Sequence, residues 1–314
     1  MSRHYFFLLL LSAALSCKLM PNTTGNTAES DPTRVYMLRL NPPPGAKYYY
    51  TVKSEQEMTF EANDKKVDNV TKTTAGVNYL VGKDTTGNFA IHIQYDKLHV
   101  YTKNGDVESD MDAANAATSA DPVEKMLGTL TSIPLMASVT PAGEVKSIVG
   151  YDEIPDKILA AFPATDPSIR NVMREKLKKL VGTGIIKKNV SDIFYFFPDS
   201  AIHVGDKWKL NSTPVSDLDL KAPVSFTLVK MEDRVATIKS EGKVNSDSVS
   251  IDLGGYKVLA NLHGDQQGEY AMDGHTGMLI SAESSTDISG SISVMGQDVP
   301  LSLKVTVKID GQKK

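Results

Sequence analysis

The sequence is almost free of cysteine and has no apolar stretch long enough to cross a membrane as a helix. Its only cysteine is Cys17, so no disulfide can form within the chain. The net charge of −4 leaves no basic excess to neutralise phosphates, which argues against a nucleic-acid-binding protein. No run of 18 or more apolar residues occurs, so no transmembrane helix is predicted for the mature protein.

Motifs for catalysis and metal binding are also missing from the sequence. It contains no G-x-S-x-G, no P-loop and no G-x-G-x-x-G pattern. The histidines show no metal-ligand spacing. We therefore predict no catalytic residues, no metal site and no cofactor, and we expect that the protein is not an enzyme. The histidines are His4, His92, His99, His203, His263 and His275.

The N-terminus has the pattern of an export signal. An apolar run over residues 5–15 follows the basic Arg3, and Ser16 and Cys17 come next. A run of this length is typical of a signal peptide and is too short to span a bilayer. The segment resembles a bacterial lipoprotein signal, although Ala14 stands where leucine is favoured, and cleavage by an ordinary signal peptidase is the alternative. We predict a signal peptide over residues 1–16 and a lipid anchor on Cys17.

Alternation of apolar and polar residues is the main structural signal after residue 33. It occurs over 77–81, 89–95, 224–228 and 301–309, and period-two alternation is typical of antiparallel strands with one buried face. We predict a mainly β (α+β) fold, in which long antiparallel strands form a curved sheet or two packed sheets. The alternation is also clear near residue 48, where one face carries Tyr48, Tyr50, Val52, Met58 and Phe60.

A helical insertion interrupts the strands in the middle of the chain. Asp121-Pro122 and Asp166-Pro167 are typical helix starts. The helix predicted from residue 167 carries several basic residues, which could lie on anionic lipid or simply face solvent. The predicted organisation is a signal peptide (1–16), a lipid-anchored flexible tether (17–33), an N-terminal antiparallel β part (34–118), the helical insertion (119–185) and a C-terminal antiparallel β part (186–314).

Two aromatic features are the candidate ligand site. The segment 193–198 is densely aromatic, and the only tryptophan follows at a predicted turn-to-strand junction. These rings could line the mouth of an apolar pocket, or they could pack in the core as large aromatic residues usually do. The candidate ligand-binding residues are Phe194, Tyr195, Phe196, Phe197 and Trp208.

Three short motifs are similar to those of a family of uncharacterised lipoproteins common in Bacteroidota. They are Tyr48-Tyr49-Tyr50, the stretch from Phe197-Pro198 to Gly205-Asp206-x-Trp208, and Thr276-Gly277. That family has no established activity, so the resemblance implies no catalytic residues. The expected architecture is also similar to that of periplasmic lipid carriers, in which a curved sheet and helices enclose an apolar cavity.

These features together predict a membrane-tethered protein of the bacterial cell envelope. The expected location is the outer membrane, on its periplasmic or surface face, with the membrane as a partner through the N-terminal lipid. The first functional hypothesis is binding of a hydrophobic or envelope-derived ligand. The alternative is a structural or protein-interaction module of the envelope that binds no small ligand. The sequence leaves the ligand and the protein partner open, and predicts no nucleic-acid partner.

Overall fold

The computed structural model describes most of the chain from residue 33 to the C-terminus. The predicted signal peptide and Cys17 lie outside the described residues, as does nearly all of the predicted tether. None of the helices in the described part is long and apolar enough to cross a membrane. The described residues are 33–62, 65–160, 167–180, 190, 193–194, 196–215, 220–253, 256–294 and 297–314.

Strands dominate the described part, as the alternation of apolar residues predicts. The α-helices are α1 (Pro122–Thr131), α2 (Ile154–Ala160) and α3 (Pro167–Leu180). The strands are β1 (Lys47–Ala62), β2 (Lys65–Lys83), β3 (Phe89–Asn104), β4 (Val107–Asp112), β5 (Leu135–Val139), β6 (Val145–Val149), β7 (Lys207–Val215), β8 (Leu220–Glu232), β9 (Val235–Leu253), β10 (Tyr256–Asp273), β11 (Leu279–Val294) and β12 (Gln297–Lys313).

All these strands belong to one antiparallel sheet that does not close on itself. Its order is β6-β5-β3-β2-β1-β12-β11-β10-β9-β8-β7, and β4 pairs with β3 beside β5. Two meanders, β1 to β6 and β7 to β12, therefore join where the first strand pairs with the last. The predicted mainly β fold is confirmed, and of its two predicted forms the chain adopts the single sheet.

The insertion predicted over residues 119–185 contains the three helices and also two strands. Helix α1 begins where predicted, because the Asp121 carboxylate accepts a hydrogen bond from the amide of Val123 at 2.7 Å and Pro122 opens the helix. After α1, the short strands β5 and β6 extend the N-terminal meander. In chain order, α1 lies between β4 and β5, whereas α2 and α3 lie between the two edge strands, β6 and β7.

The sheet is strongly curved, as the short distance between two turns at one end of it shows. The amide of Leu40 donates to the Pro141 carbonyl at 2.8 Å, and that of Asn41 donates to the Thr276 carbonyl at 2.7 Å. Since consecutive residues are about 3.8 Å apart, these turns approach within about 10 Å. They adjoin β5 and β11, which are five strand intervals or about 24 Å apart along a flat sheet. The sheet must therefore curl around the segment that contains Leu40.

The registers separate an inner face of the sheet from an outer one, because directly paired residues of antiparallel strands share a face. The inner side chains of most strands are buried and apolar, whereas ion pairs such as Lys72–Glu55, at 2.6 Å, lie on the outer face. The helices cover the inner face: Leu127, Ile158 and Leu177 belong to one buried cluster with inner residues of both meanders. The core is therefore the space inside the curl.

Asp84 fixes the turn between β2 and β3 and ties it to β5. The Thr86 hydroxyl donates to its carboxylate at 2.7 Å, and the Ser138 hydroxyl at 2.9 Å. The amides of Thr86 and Asn88 donate to it as well. These bonds, that from the Thr86 hydroxyl above all, lower the pKa of Asp84 from 3.8 to about 2.

We expect Asp84→Asn to remove part of the acid sensitivity of the protein. Because the folded-state pKa is lowered, the carboxylate stabilises the fold fully above the unfolded-state pKa, and this stabilisation is lost as pH falls from about 4 to about 2. The melting temperatures of the two proteins should therefore differ most near neutral pH and converge at about pH 2, measured by circular dichroism. A difference that stays constant with pH would contradict the prediction.

Candidate functional site

The predicted aromatic residues meet inside the curl and bridge its two halves. The rings of Phe194 and Tyr79 on β2 are 5.9 Å apart, and those of Phe196 and Tyr270 on β10 are 5.7 Å apart. Phe196 also stacks on Phe197 at 4.9 Å. The three phenylalanines are at most 4% exposed. They are covered on several sides by other rings, as core residues are.

Trp208 connects the aromatic segment around Phe196 to the second meander. Its indole stacks on Phe226 of β8, with ring centroids 5.7 Å apart, and Nε1 donates to the Phe196 carbonyl at 3.1 Å. Four of the five predicted ligand-binding residues are therefore brought together, and Tyr195 lies outside the described residues. The structure places the four in a packed cluster, and their contact with a ligand stays a prediction.

A belt of buried hydroxyl groups crosses the middle of the inner face. We call it the hydroxyl belt. The registers connect Thr73 on β2, through Ser54, Val307, Ser284 and Gly268, to Ser240 on β9. The belt residues are only 0–4% exposed, and their side-chain oxygens have no hydrogen-bond partner within the described part of the chain. The belt residues are Thr73, Thr102, Ser240, Ser284 and Thr286.

Apolar clusters flank the hydroxyl belt on both sides. Toward the aromatic residues, the next row of inner positions includes Ala282, Tyr270 and Ile238. Toward the opposite end, Ile288 and Leu303 belong to a second and separate buried cluster. The inner face is thus divided along the strands into an apolar zone, a belt in which hydroxyl groups alternate with apolar residues such as Val305 and Val307, and a second apolar zone. A simple hydrophobic core would not need the interruption, because a buried hydroxyl without a partner costs about 1–3 kcal/mol.

Charged side chains do not occur in the middle of the inner face as far as it is described. Four rows of directly paired inner residues run across this part of the sheet. In β1 these rows contain Val52, Ser54, Gln56 and Met58. Among the described residues paired along these rows, none is Asp, Glu, Lys or Arg. The described residues of these rows offer hydrogen bonds from neutral groups, and they offer no counter-charge to a buried ion.

Sequence patterns alone did not find the hydroxyl belt. In β11 the residues of both faces are small or polar from Ser281 to Asp287, so alternation does not reveal which of them point inward. The sequence contains only a weak signal for the belt. Thr73 of β2 stands where the alternation of apolar residues would place another valine or isoleucine. Only the registers show that such positions from several strands lie side by side.

The outer face carries a polar groove over β7 to β11, with a volume of about 670 Å³. Its lining is mixed in charge, and Lys243 and Asp265 form an ion pair across 3.3 Å. In the described parts of the chain, no group of three or more His, Cys, Asp or Glu residues is placed to hold a metal ion. The groove is lined by Lys209, Pro223, Ser225, Glu241, Gly242, Lys243, Asp265, Gln266, Gln267, Ser285 and Asp287.

Comparisons with other proteins give a family and no activity. No curated protein matches the chain. Among solved structures, the chain is similar to the CymD monoaromatic hydrocarbon channel, at 9% identity over 87% of this chain and 89% of that chain, with a TM-score of 0.14. A TM-score this low does not indicate a shared fold. The model of a family of unknown function, DUF6263, matches residues 86–279, which is more than half of the sequence. The chain therefore belongs to the DUF6263 family.

Proposed function

We propose that this protein is a lipid-anchored protein of the bacterial cell envelope that binds a hydrophobic or amphiphilic ligand inside its curved sheet, without catalysing a reaction. The observation that carries the proposal is the division of the inner face into two apolar zones with a belt of unpaired hydroxyl groups between them. A ligand with apolar and polar parts would supply the missing partners and would match this division.

The proposed anchor rests on the sequence. Cys17 is the only cysteine and stands directly after the apolar run and Ser16. The polar residues that follow, up to about residue 33, would act as a tether between the lipid and the sheet. Such a tether would hold the sheet near the membrane, which is the source of envelope-derived amphiphiles.

A second candidate function is a protein-interaction module, and one surface favours it. On the outer face, the registers align Leu80 of β2, His92 of β3, Met136 of β5 and Val149 of the edge strand β6. Leu80, Met136 and Val149 are 40%, 38% and 49% exposed. An exposed apolar row that reaches a sheet edge is a suitable surface for another protein chain.

The anchor and the ligand can be tested on one pair of proteins, the wild-type chain and Cys17→Ser, both with the complete signal sequence. We expect wild type in the membrane fraction and Cys17→Ser in the soluble fraction, since the variant cannot receive the lipid. The soluble variant can then be purified without detergent and studied by native mass spectrometry and organic extraction. A near-stoichiometric amphiphile in the extract is the expected result.

Two outcomes would contradict the proposal. If the wild-type protein were found in the soluble fraction, the proposed lipid anchor would be contradicted. A purified variant with only the mass of the polypeptide, and an extract no richer in lipid than that of another exported protein prepared in parallel, would remove the ligand. The second outcome would favour the interaction module and direct attention to the row that ends at Val149.

A further inference from the structure

The hydroxyl belt has the chemistry of a specific polar subsite. Serine and threonine hydroxyls can each donate and accept hydrogen bonds and carry no charge. The side-chain oxygens of Ser284 and Thr286 belong to residues that are 0% exposed, and no partner for either occurs among the described residues. Native proteins leave few buried polar groups unsatisfied, and groups that pair with a ligand are one physical explanation for such positions.

The belt also selects the kind of polar group that it could accept. The described rows around it hold no charged residue. A phosphate or carboxylate buried there would lose its hydration without gaining a counter-charge, which is strongly unfavourable. An ester, amide, hydroxyl or ketone oxygen has no such penalty and needs only the hydrogen bonds that the belt can provide.

Small inner residues make the belt a place where a ligand could be accommodated. Ser284 on β11, Gly268 on β10 and Ser240 on β9 are directly paired in one row of inner positions. Because all three residues are small, the inner face is shallow along this row. Because water does not reach the belt in this structure, the side chains that cover it must separate when a ligand enters.

We infer that the hydroxyl belt binds the uncharged polar group of a neutral amphiphile, such as a diacylglycerol, while the two apolar zones bind its hydrocarbon parts. This inference rests on the proposed binding function and narrows its ligand class. It excludes lipids whose headgroup carries a phosphate or carboxylate. The polar groove on the outer face has no part in this inference.

Two probes and the single tryptophan allow a direct test. Dioleoylglycerol and dioleoylphosphatidic acid differ only in the phosphate, so they isolate the effect of charge. Trp208 lies in the same row as Ser240, through Phe226, so its emission should report on filling of the belt. On delipidated full-length Cys17→Ser, we expect dioleoylglycerol to bind at least tenfold more tightly than dioleoylphosphatidic acid.

A matched pair of double variants tests the residues. Thr73→Val with Thr286→Val keeps side-chain shape and removes two belt hydroxyls. Thr74→Val with Thr237→Val makes the same change at half-buried outer positions on β2 and β9. We expect the belt variant to bind dioleoylglycerol at least tenfold more weakly, and to need as much urea as the parent to unfold, or more. The outer variant should bind like the parent.

The outcomes separate this inference from the proposed function. Equal or tighter binding of dioleoylphosphatidic acid, or undiminished binding by the belt variant, would overturn the inference and leave a ligand-binding protein. Unfolding of the belt variant at lower urea would show that its hydroxyls are already satisfied, and would also overturn it. Absence of any lipid, both in the purified protein and with either probe, would instead overturn the proposed function itself.

Discussion

Replacing Gly277 with alanine is expected to lower the free energy of unfolding by about 3 kcal/mol or more, from backbone strain and a steric clash together. Gly277 has φ of +68°, a conformation that alanine adopts at a cost. A Cβ at this position would lie 2.2 Å from the carbonyl oxygen of Arg39 and 2.9 Å from the Cα of Leu40. Both are backbone atoms, so the clash can be relieved only by moving the chain.

Gly143 should respond in the same way, and Gly87 provides the control. At Gly143, φ is +81°, and a Cβ would lie 2.0 Å from the Phe194 carbonyl oxygen. Gly87 has a similar φ of +88°, and nothing lies within 4 Å of its Cβ position. Gly87→Ala should therefore cost only about 1 kcal/mol, the strain alone. Equal losses for all three variants in urea unfolding would show that the close contacts are not maintained.

The large loss of stability expected at Gly143 and Gly277 follows from the contacts that keep the sheet curled. The turns that contain Gly143 and Gly277 receive the amides of Leu40 and Asn41 at their Pro141 and Thr276 carbonyls. The segment around Leu40 thereby connects the two meanders at one end of the sheet, and the aromatic segment near Phe194 lies against one of the same turns. An added methyl group at either glycine should loosen this end of the sheet as a unit.

The fold class could be predicted because it depends on local patterns. The alternation over Tyr48 to Phe60 requires a strand with one buried face, and Asp121-Pro122 requires a helix start, whatever lies elsewhere in the chain. The pairing of β1 with β12 could not be predicted, because it joins residues such as Tyr50 and Gly311 that are far apart in sequence. Nothing local in either strand specifies the other.

The candidate site was only partly predictable for the same reason. The aromatic residues are conspicuous in sequence, so their clustering was expected as one of two alternatives. The hydroxyl belt exists only as a juxtaposition: Thr73, Ser240 and Ser284 come from three strands in two meanders. Each of these residues alone is typical of an ordinary polar strand position. Only the register of the strands shows that they lie side by side.

Phe194→Ala and Phe196→Ala are each expected to lower the free energy of unfolding by about 3–5 kcal/mol, as loss of a fully buried phenylalanine does. Both rings are 2% exposed, and each contacts an inner tyrosine, Tyr79 or Tyr270. Phe60→Ala is the matched control, because Phe60 is only partly buried, at the edge of the second cluster, and should cost clearly less. Urea unfolding of delipidated protein, followed by circular dichroism, is the measurement.

The same variants distinguish the two functions that the aromatic residues could have. If the rings only lined a ligand site, their removal would leave the delipidated protein nearly as stable as the parent and would weaken binding. If they form the core that joins the meanders, stability falls with or without ligand, and Phe194→Ala should also loosen the turn whose Gly143 lies against its backbone. We expect the second result, because the ring contacts of Phe194 and Phe196 are with the protein. Ligand contact would then be confined to the hydroxyl belt and the apolar surfaces beside it.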